Sequence, residues 1–196
     1  MRSDAKILAF DTSAAHCAAA LLCGDEILDQ RCEEMTRGQA ERLMPLLDSL
    51  LQAQGIGWRD LDRIGVGIGP GNFTGIRISV AAARGLALGL GIPAIGVSMF
   101  QTTQKLADSA QTAIPAPREQ AYALDTDTMT APIMAAQADL AGFTLSTAFT
   151  ATDHVATIAR IARDAPDQAT PPAPLYIRPA DAAPPRDPAP VILDDA

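Results

Sequence analysis

The sequence is short of positive charge and of aromatic residues. Lysine and arginine together number 15 against 23 aspartates and glutamates, which gives a formal net charge of −8 over 196 residues. Because nucleic-acid binding rests on neutralising phosphates with basic side chains, we do not expect this chain to bind RNA or DNA strongly by itself. Aromatic residues make up only 4% of the chain, so the core must be built largely from alanine, leucine, isoleucine and valine.

Cysteine and histidine are scarce as well. The three cysteines, Cys17, Cys23 and Cys32, form no C-x-x-C pair, and the two histidines, His16 and His154, lie far apart in the sequence. This spacing does not favour a zinc site or any other metal centre. It predicts reduced, inert thiols in a cytoplasmic protein.

A membrane or secreted protein is not expected either. The N-terminal residues run directly into an apolar strand pattern, without the features of a signal peptide. The apolar stretch 80–97 contains Arg84, several glycines and Pro93, which makes a membrane span a poor interpretation. The length of 196 residues suits one larger domain or two small lobes.

A glycine-rich stretch, Gly67–Ile78, stands between an apolar strand pattern and a helix pattern. Glycines there permit close approach of a backbone or a ligand, and the start of a helix can hold an anion. The stretch lacks the lysine of a P-loop, and Asn72 stands where a dinucleotide fingerprint needs its third glycine. Both a structural turn and a degenerate phosphate loop remain open. The loop residues concerned are Gly69, Pro70, Gly71, Asn72 and Thr74.

A second polar group ends the first predicted strand. Asp11, Thr12 and Ser13 follow the apolar residues 7–10. A carboxylate and two hydroxyls at a strand tip can hold Mg²⁺ and phosphate, and the same tripeptide is ordinary turn chemistry.

The order of patterns predicts a mixed sheet with helices packed on it. An antiparallel meander of three strands comes first, followed by helix, strand, helix and strand. The predicted elements are strands 6–10, 17–22, 27–33, 61–69 and 92–97, and helices 39–54, 74–90 and 99–109. In the second half we predict strands 112–116 and 120–124 and a helix over 151–163.

The two successive helices 39–54 and 74–90 carry different apolar stripes. The first repeats leucine at 43, 46, 47, 50 and 51, with Met44 widening the face. The second carries Ala81, Gly85 and Gly89 at a spacing of four, which lets another helix approach closely. Either stripe could be core, and either could meet a partner.

Five motifs together resemble the TsaB (YeaZ) family, the dimerisation subunit of bacterial tRNA threonylcarbamoyladenosine synthesis. They are residues 7–13, 41–46, 67–77, 96–98 and 174–179. The resemblance covers residues 6–100 well and is weak over 101–173. Two departures are the absence of a histidine at or near Gln39, which many family members carry, and a second half that is short for the family.

The resemblance implies a two-lobed α/β fold of the ASKHA type (actin, sugar kinase, Hsp70). It implies an N-terminal RNase H-like lobe over 1–100 with a mixed five-stranded sheet, and a shortened second lobe over 101–178. Residues 179–196, rich in proline, alanine and aspartate, are predicted to be a disordered tail.

The resemblance also implies the function. The chain would be a non-catalytic scaffold for a TsaD-type subunit, which adds threonylcarbamoyl to N6 of adenosine 37 in tRNAs reading ANN codons. A TsaE-type ATPase would join them, tRNA would bind only through the complex, and a homodimer of the free chain stays open. No cofactor is expected to bind tightly, with ATP and Mg²⁺ restricted to the assembled complex.

The two helices named above would form the partner surface. The predicted interface residues are Leu43, Met44, Leu47, Leu50, Leu51, Ile78, Ala81, Ala82 and Gly85. The main alternative is a self-contained ATPase or phosphotransferase that holds Mg-ATP between Asp11, Thr12, Ser13 and the glycine turn. A peptidase is a weaker alternative, since no Ser/His/Asp or H-E-x-x-H arrangement is present.

Overall fold

The computed structural model describes residues 4–166 and 170–177. Its first sheet has five strands in the order β3-β2-β1-β4-β5, in which β1, β2 and β3 form an antiparallel meander and β4 and β5 run parallel to β1. The strands are β1 Lys6–Asp11, β2 His16–Cys23, β3 Glu26–Glu34, β4 Arg63–Gly67 and β5 Ala94–Val97. The mixed α/β class and the five-stranded sheet are therefore confirmed, in agreement with the ASKHA arrangement.

Helices cover both faces of this sheet. The helices within the described residues are α1 Gln39–Ala53, α2 Phe73–Leu90, α3 Met99–Ala107 and α4 Ala151–Asp164. Helices α1 and α2 pack on one face, against residues such as Leu8, Phe10 and Ile64. Helix α4 packs on the other, against Ile7 and Ala9. Alternate residues of β1 thus enter different cores, as the two-residue period of a strand requires.

A second, smaller sheet is built from the middle of the chain. Its order is β8-β7-β6-β9, from β6 Gln111–Ala116, β7 Gln120–Asp125, β8 Ile133–Ala136 and β9 Thr144–Leu145. Strands β6 and β7 agree with the prediction, whereas β8 and β9 were not predicted. Both are short, and only the pairing with their neighbours makes them strands. Three short 3-10 helices complete the described elements: Trp58–Asp60, Gln137–Asp139 and Ser146–Ala148.

Helix α4 follows the second sheet in the chain but returns to the first. Val155, Ile158 and Ala159 are buried against it. The buried Arg63 at the start of β4 secures the end of this helix, because its Nη1 donates a hydrogen bond to the carbonyl of Ala162 at 2.9 Å. A cation at the end of a helix also complements the helix dipole. The lobe boundaries at residues 100 and 178 remain a prediction, and the predicted disordered tail lies outside the described residues.

Candidate functional site

The parallel pairing of β1 and β4 brings the two predicted polar motifs together. Phe10 lies beside Val66, so the residues that follow each strand meet at the same edge of the sheet. The backbone N–H of Asn72 donates to the carbonyl of Ser13 at 2.6 Å. The hydroxyl of Thr12 donates to the carbonyl of Gly75 at 2.7 Å. The glycine turn is therefore bonded directly to the tip of β1.

Glycine is required in the turn because the tip of β1 fills the space beside it. A Cβ atom at Gly71 would collide with the carbonyl oxygen of Ser13, and one at Gly75 would collide with that of Thr12. At Gly69 the φ angle of +91° favours glycine as well. The glycines thus serve close packing of the chain against itself, which is the structural-turn interpretation of this stretch.

The polar groups of the strand tip are also largely engaged by one another. The backbone N–H and the hydroxyl of Ser13 donate to Oδ2 of Asp11 at 3.0 and 2.8 Å, and Nε2 of His16 lies 3.0 Å from the same oxygen. Asn72 caps α2 by accepting a hydrogen bond from the N–H of Gly75 at 2.9 Å. Within residues 4–166 and 170–177, Oδ1 of Asp11 is buried without a hydrogen-bond partner.

This arrangement does not fit Mg-ATP. Asp11, Thr12 and Ser13 are at most 2% exposed, so a nucleotide could reach their side chains only if the turn separated from the strand tip. Pro70 is buried and Thr74 is exposed, which places the two ends of the predicted phosphate loop in different surroundings. Oδ1 of Asp11, unpartnered among the described residues, is suited to a cation, but by itself it does not make a nucleotide site.

The leucine stripe of α1 does not form a partner surface. Four leucines are at most 1% exposed and belong to the core between the first sheet and helices α1 and α2: Leu43, Leu47, Leu50 and Leu51. The prediction that these four residues lie at an interface is therefore wrong, because the stripe faces the chain's own sheet. Met44, which is 41% exposed, is the member of the predicted set on α1 that stays accessible.

Helix α2 presents the opposite picture. It buries Ile76, Val80 and Ala83, but the far side of the helix is open. Ala81 and Gly85 are exposed there, and Ile78 and Ala82 are half-buried. Leu88 is 87% exposed. The predicted interface residues on α2 are thus accessible, and their role at an interface remains a prediction.

An aromatic and cationic cluster occupies the N-terminal end of the same face. The Arg77 guanidinium lies 3.9 Å from the centre of the Phe73 ring, and the rings of Phe73 and Tyr176 are 5.0 Å apart. Tyr176 is carried by residues 170–177, which reach the sheet through a hydrogen bond from the N–H of Leu175 to the carbonyl of Ile68 at 2.9 Å. Sequence reasoning missed this cluster, because the predicted helix 74–90 left Phe73 in the turn, whereas α2 begins at Phe73 and so brings it onto one helix face with Arg77.

The two histidines occupy different surroundings. His154 is buried, with Nδ1 2.8 Å from the hydroxyl of Thr102 and Nε2 3.0 Å from the carbonyl of Ser146. Burial lowers the pKa of His154 below its ordinary value. Among the described residues, no group of three or more histidine, cysteine, aspartate or glutamate side chains could hold a metal ion.

One helix of the described chain, Phe73–Leu90, is long and apolar enough to cross a membrane by length and composition. The same test is passed by core helices of soluble proteins, and this helix buries one face against the sheet. We therefore attribute its apolar character to packing and to the open face described above.

Comparison with known proteins agrees with the topology. Residues 27–129, more than half of the chain, match the family model described as TsaD, tRNA N6-adenosine threonylcarbamoyltransferase. The chain is 38% identical over 97 residues to the tRNA threonylcarbamoyladenosine biosynthesis protein TsaB of Escherichia coli. That alignment covers 50% of this chain and 42% of the Escherichia coli protein. It is 38% identical over 96 residues to TsaB of Bacillus subtilis, with 49% of this chain and 42% of that protein covered.

A solved structure gives the same result. YeaZ from Pseudomonas aeruginosa superimposes with a TM-score of 0.53 at 29% sequence identity, covering 67% of this chain and 64% of that one. The chain spans less than half of the length of the two TsaB proteins it matches. By the extent of the family match, the chain belongs to the TsaD family of tRNA N6-adenosine threonylcarbamoyltransferases, and within it the relatives named here are TsaB proteins.

Proposed function

We propose that this chain is an assembly subunit for tRNA threonylcarbamoyladenosine synthesis and binds a TsaD-type catalytic subunit through the open face of α2. In this proposal the chain contributes no catalytic residue, and tRNA and a TsaE-type ATPase meet it only in the complex. The names of the relatives support the pathway. The exposed small-residue face of α2 supports the mode of action.

The observation that carries the proposal is the glycine and alanine stripe of α2. Gly85 and Gly89 lie within a helix, where glycine is less stable than alanine by about 0.5–1 kcal/mol at each position. A Cβ atom at either position would meet nothing within 4 Å, so packing among the described residues gives no reason for glycine. A second helix lying against Ala81, Gly85 and Gly89 would supply that reason, because small residues let two helix backbones approach closely.

Gly85 offers a direct test. We expect Gly85→Glu to abolish co-purification with the TsaD-type protein encoded in the same genome while the thermal midpoint of the free chain stays close to wild type. The matched control is Gly85→Ala, which should raise the stability of the free chain by about 0.5–1 kcal/mol. Size-exclusion chromatography of the mixed proteins and thermal unfolding of each variant are the measurements. Undiminished complex formation by Gly85→Glu would refute the interface.

A charged residue at Leu47 is not a suitable test of the interface. The side chain is fully buried, so a charge there would prevent folding and the loss of binding would carry no information about the surface. Leu88→Glu is the better second variant, because this leucine is 87% exposed on the same face as Gly85.

The ATPase or phosphotransferase alternative rests on the meeting of Asp11 with the glycine turn and on the unpartnered Oδ1 of Asp11. It predicts that the isolated chain binds Mg-ATP and that Asp11→Ala removes this binding. Titration calorimetry at high protein concentration tests it. Absence of heat would leave the scaffold as the remaining proposal.

A further inference from the structure

Arg77 has a guanidinium that is held in position before any partner arrives. It stacks on the ring of Phe73 at 3.9 Å and lies 5.9 Å from the centre of the Tyr176 ring. Its Nε atom donates a hydrogen bond to the hydroxyl of Tyr176 at 2.8 Å. A free arginine loses much rotamer freedom on binding, so one that is already oriented loses less.

The outer edge of this guanidinium is available. Within residues 4–166 and 170–177, the two Nη atoms of Arg77 have no hydrogen-bond partner. The planar pair of Nη groups matches the two oxygens of a carboxylate or a phosphate. The arrangement is therefore suited to accepting an anionic group from outside the described chain.

The same helix face carries a second exposed arginine. Arg84 is exposed seven residues after Arg77, which is two helical turns or about 10 Å along α2. The sequence of α2 contains no aspartate or glutamate, although the whole chain has a net charge of −8. The open face is thus locally positive, with Ala81 between the arginines and Leu88 beyond them.

We propose that α2 selects its partner by charge, with Arg77 and Arg84 binding two carboxylates spaced two turns apart on a partner helix. Arg77 is the specificity-determining residue, and Phe73 and Tyr176 position it. This inference rests on the proposed function, since it specifies the surface that the catalytic subunit must present. The partner helix would carry small or apolar residues between its two carboxylates, so that it could pack against Ala81.

Two other occupants fit the face less well. A second copy of the chain presents the same arginines and no carboxylate on its own α2, so a symmetric contact between the α2 helices would place only cations there. Nucleic acid offers phosphates, but the net charge of −8 opposes its approach to the chain as a whole. Helical carboxylates are the anion that also satisfies the apolar part of the face.

The experiment is a titration of the full chain against the TsaD-type protein from the same genome at several salt concentrations. We expect Arg77→Gln to weaken binding about tenfold to a hundredfold, as for loss of a charged hydrogen bond, and to reduce the dependence of affinity on salt. Arg77→Lys should restore only part of the affinity, because lysine keeps the charge but loses the planar fork. The matched control is Arg160→Gln, an exposed arginine on α4, which packs on the opposite face of the sheet.

Further variants separate recognition from structure. Tyr176→Phe keeps the ring and removes the hydrogen bond to Nε, so we expect a weakening of severalfold with an unchanged salt dependence. If wild type binds and the Arg77 variants bind with the same affinity and salt dependence, the inference is wrong and the proposed function stands. If wild type does not bind at all, both fall. A loss seen only in self-association or only in tRNA binding would assign the face to that occupant and overturn the inference.

Discussion

Helices α1 and α2 lie on the same face of the same sheet, yet they use their apolar residues in opposite ways. The leucines of α1 at 43, 47, 50 and 51 are at most 1% exposed. Helix α2 leaves Leu88 87% exposed and Phe73 40% exposed. The leucines of α1 therefore stabilise the fold, whereas Phe73, Ala81 and Leu88 of α2 face outward. Periodicity identifies an apolar face, but it does not say which surface that face meets.

The largest expected difference between the two helices is in stability. We expect Leu47→Ala to lower the free energy of unfolding by about 2–5 kcal/mol, because it removes buried methyl groups and leaves a cavity. The matched change on α2, Leu88→Ala, should alter it by no more than about 0.5 kcal/mol, since that side chain is exposed. Urea unfolding followed by circular dichroism measures both. Equal losses at the two positions would contradict the comparison.

Much of the first sheet could be predicted from the sequence. The meander, the helices and the two parallel strands β4 and β5 follow from local patterns, and most of their ends agree within two residues. These elements have strong periodicity and clear stop signals such as Gly91 at the end of α2. The short strands Ile133–Ala136 and Thr144–Leu145 lack such a pattern, because they depend on partners distant in sequence.

The site was harder to predict for a related reason. The leucine stripe and the small-residue stripe both read as helix faces, and only the tertiary structure shows that the first is covered by the sheet. In the cluster of Phe73, Arg77 and Tyr176, the arginine and the tyrosine are 99 positions apart in the sequence. No local spacing indicates a contact over that distance. The buried Arg63 is similar, since it meets the end of a helix about a hundred residues later.

A buried histidine on the opposite face of the sheet extends the comparison of covered and exposed helices. Helix α4 is covered by the sheet like α1, but it buries His154, whose pKa is lowered below its ordinary value of 6.5, chiefly by burial. The carbonyl of Ser146 and the charge of Asp11 oppose this shift without cancelling it. The unfolded chain therefore binds a proton more readily than the folded chain as the pH falls through this region.

We accordingly expect stability to fall as the pH is lowered from about 6.5 toward the lower pKa of the folded state, and to be restored above 6.5. Thermal midpoints measured across this range check it. His154→Gln should remove this part of the pH dependence, whereas His16→Gln should leave it in place. Since the chain has two histidines, the pair of variants accounts for both. A pH profile unchanged in His154→Gln would contradict the assignment.

The smallest perturbation uses the cysteines to test directly whether α1 stays packed on the sheet. Cys17 is fully buried in the core that contains the α1 leucines, and burial, with help from the charges of Glu33 and Asp11, raises its pKa to about 11. At pH 8 only about one Cys17 in a thousand would be a thiolate even if it were accessible. Cys32 is exposed, although burial and nearby carboxylates raise its pKa too.

We expect a thiol reagent at pH 8 to modify Cys32 in the native chain and Cys17 only when the core opens. In the regime where opening is fast relative to modification, the rate at Cys17 follows the equilibrium population of the open form. A loss of about 2 kcal/mol in Leu47→Ala should then speed the reaction of Cys17 about 30-fold, while Leu88→Ala should leave it unchanged. Mass spectrometry of timed samples gives both rates. If Cys17 reacted as fast as Cys32 in the native chain, α1 would not be closed over the sheet, and the contrast between the two helices would lose its basis.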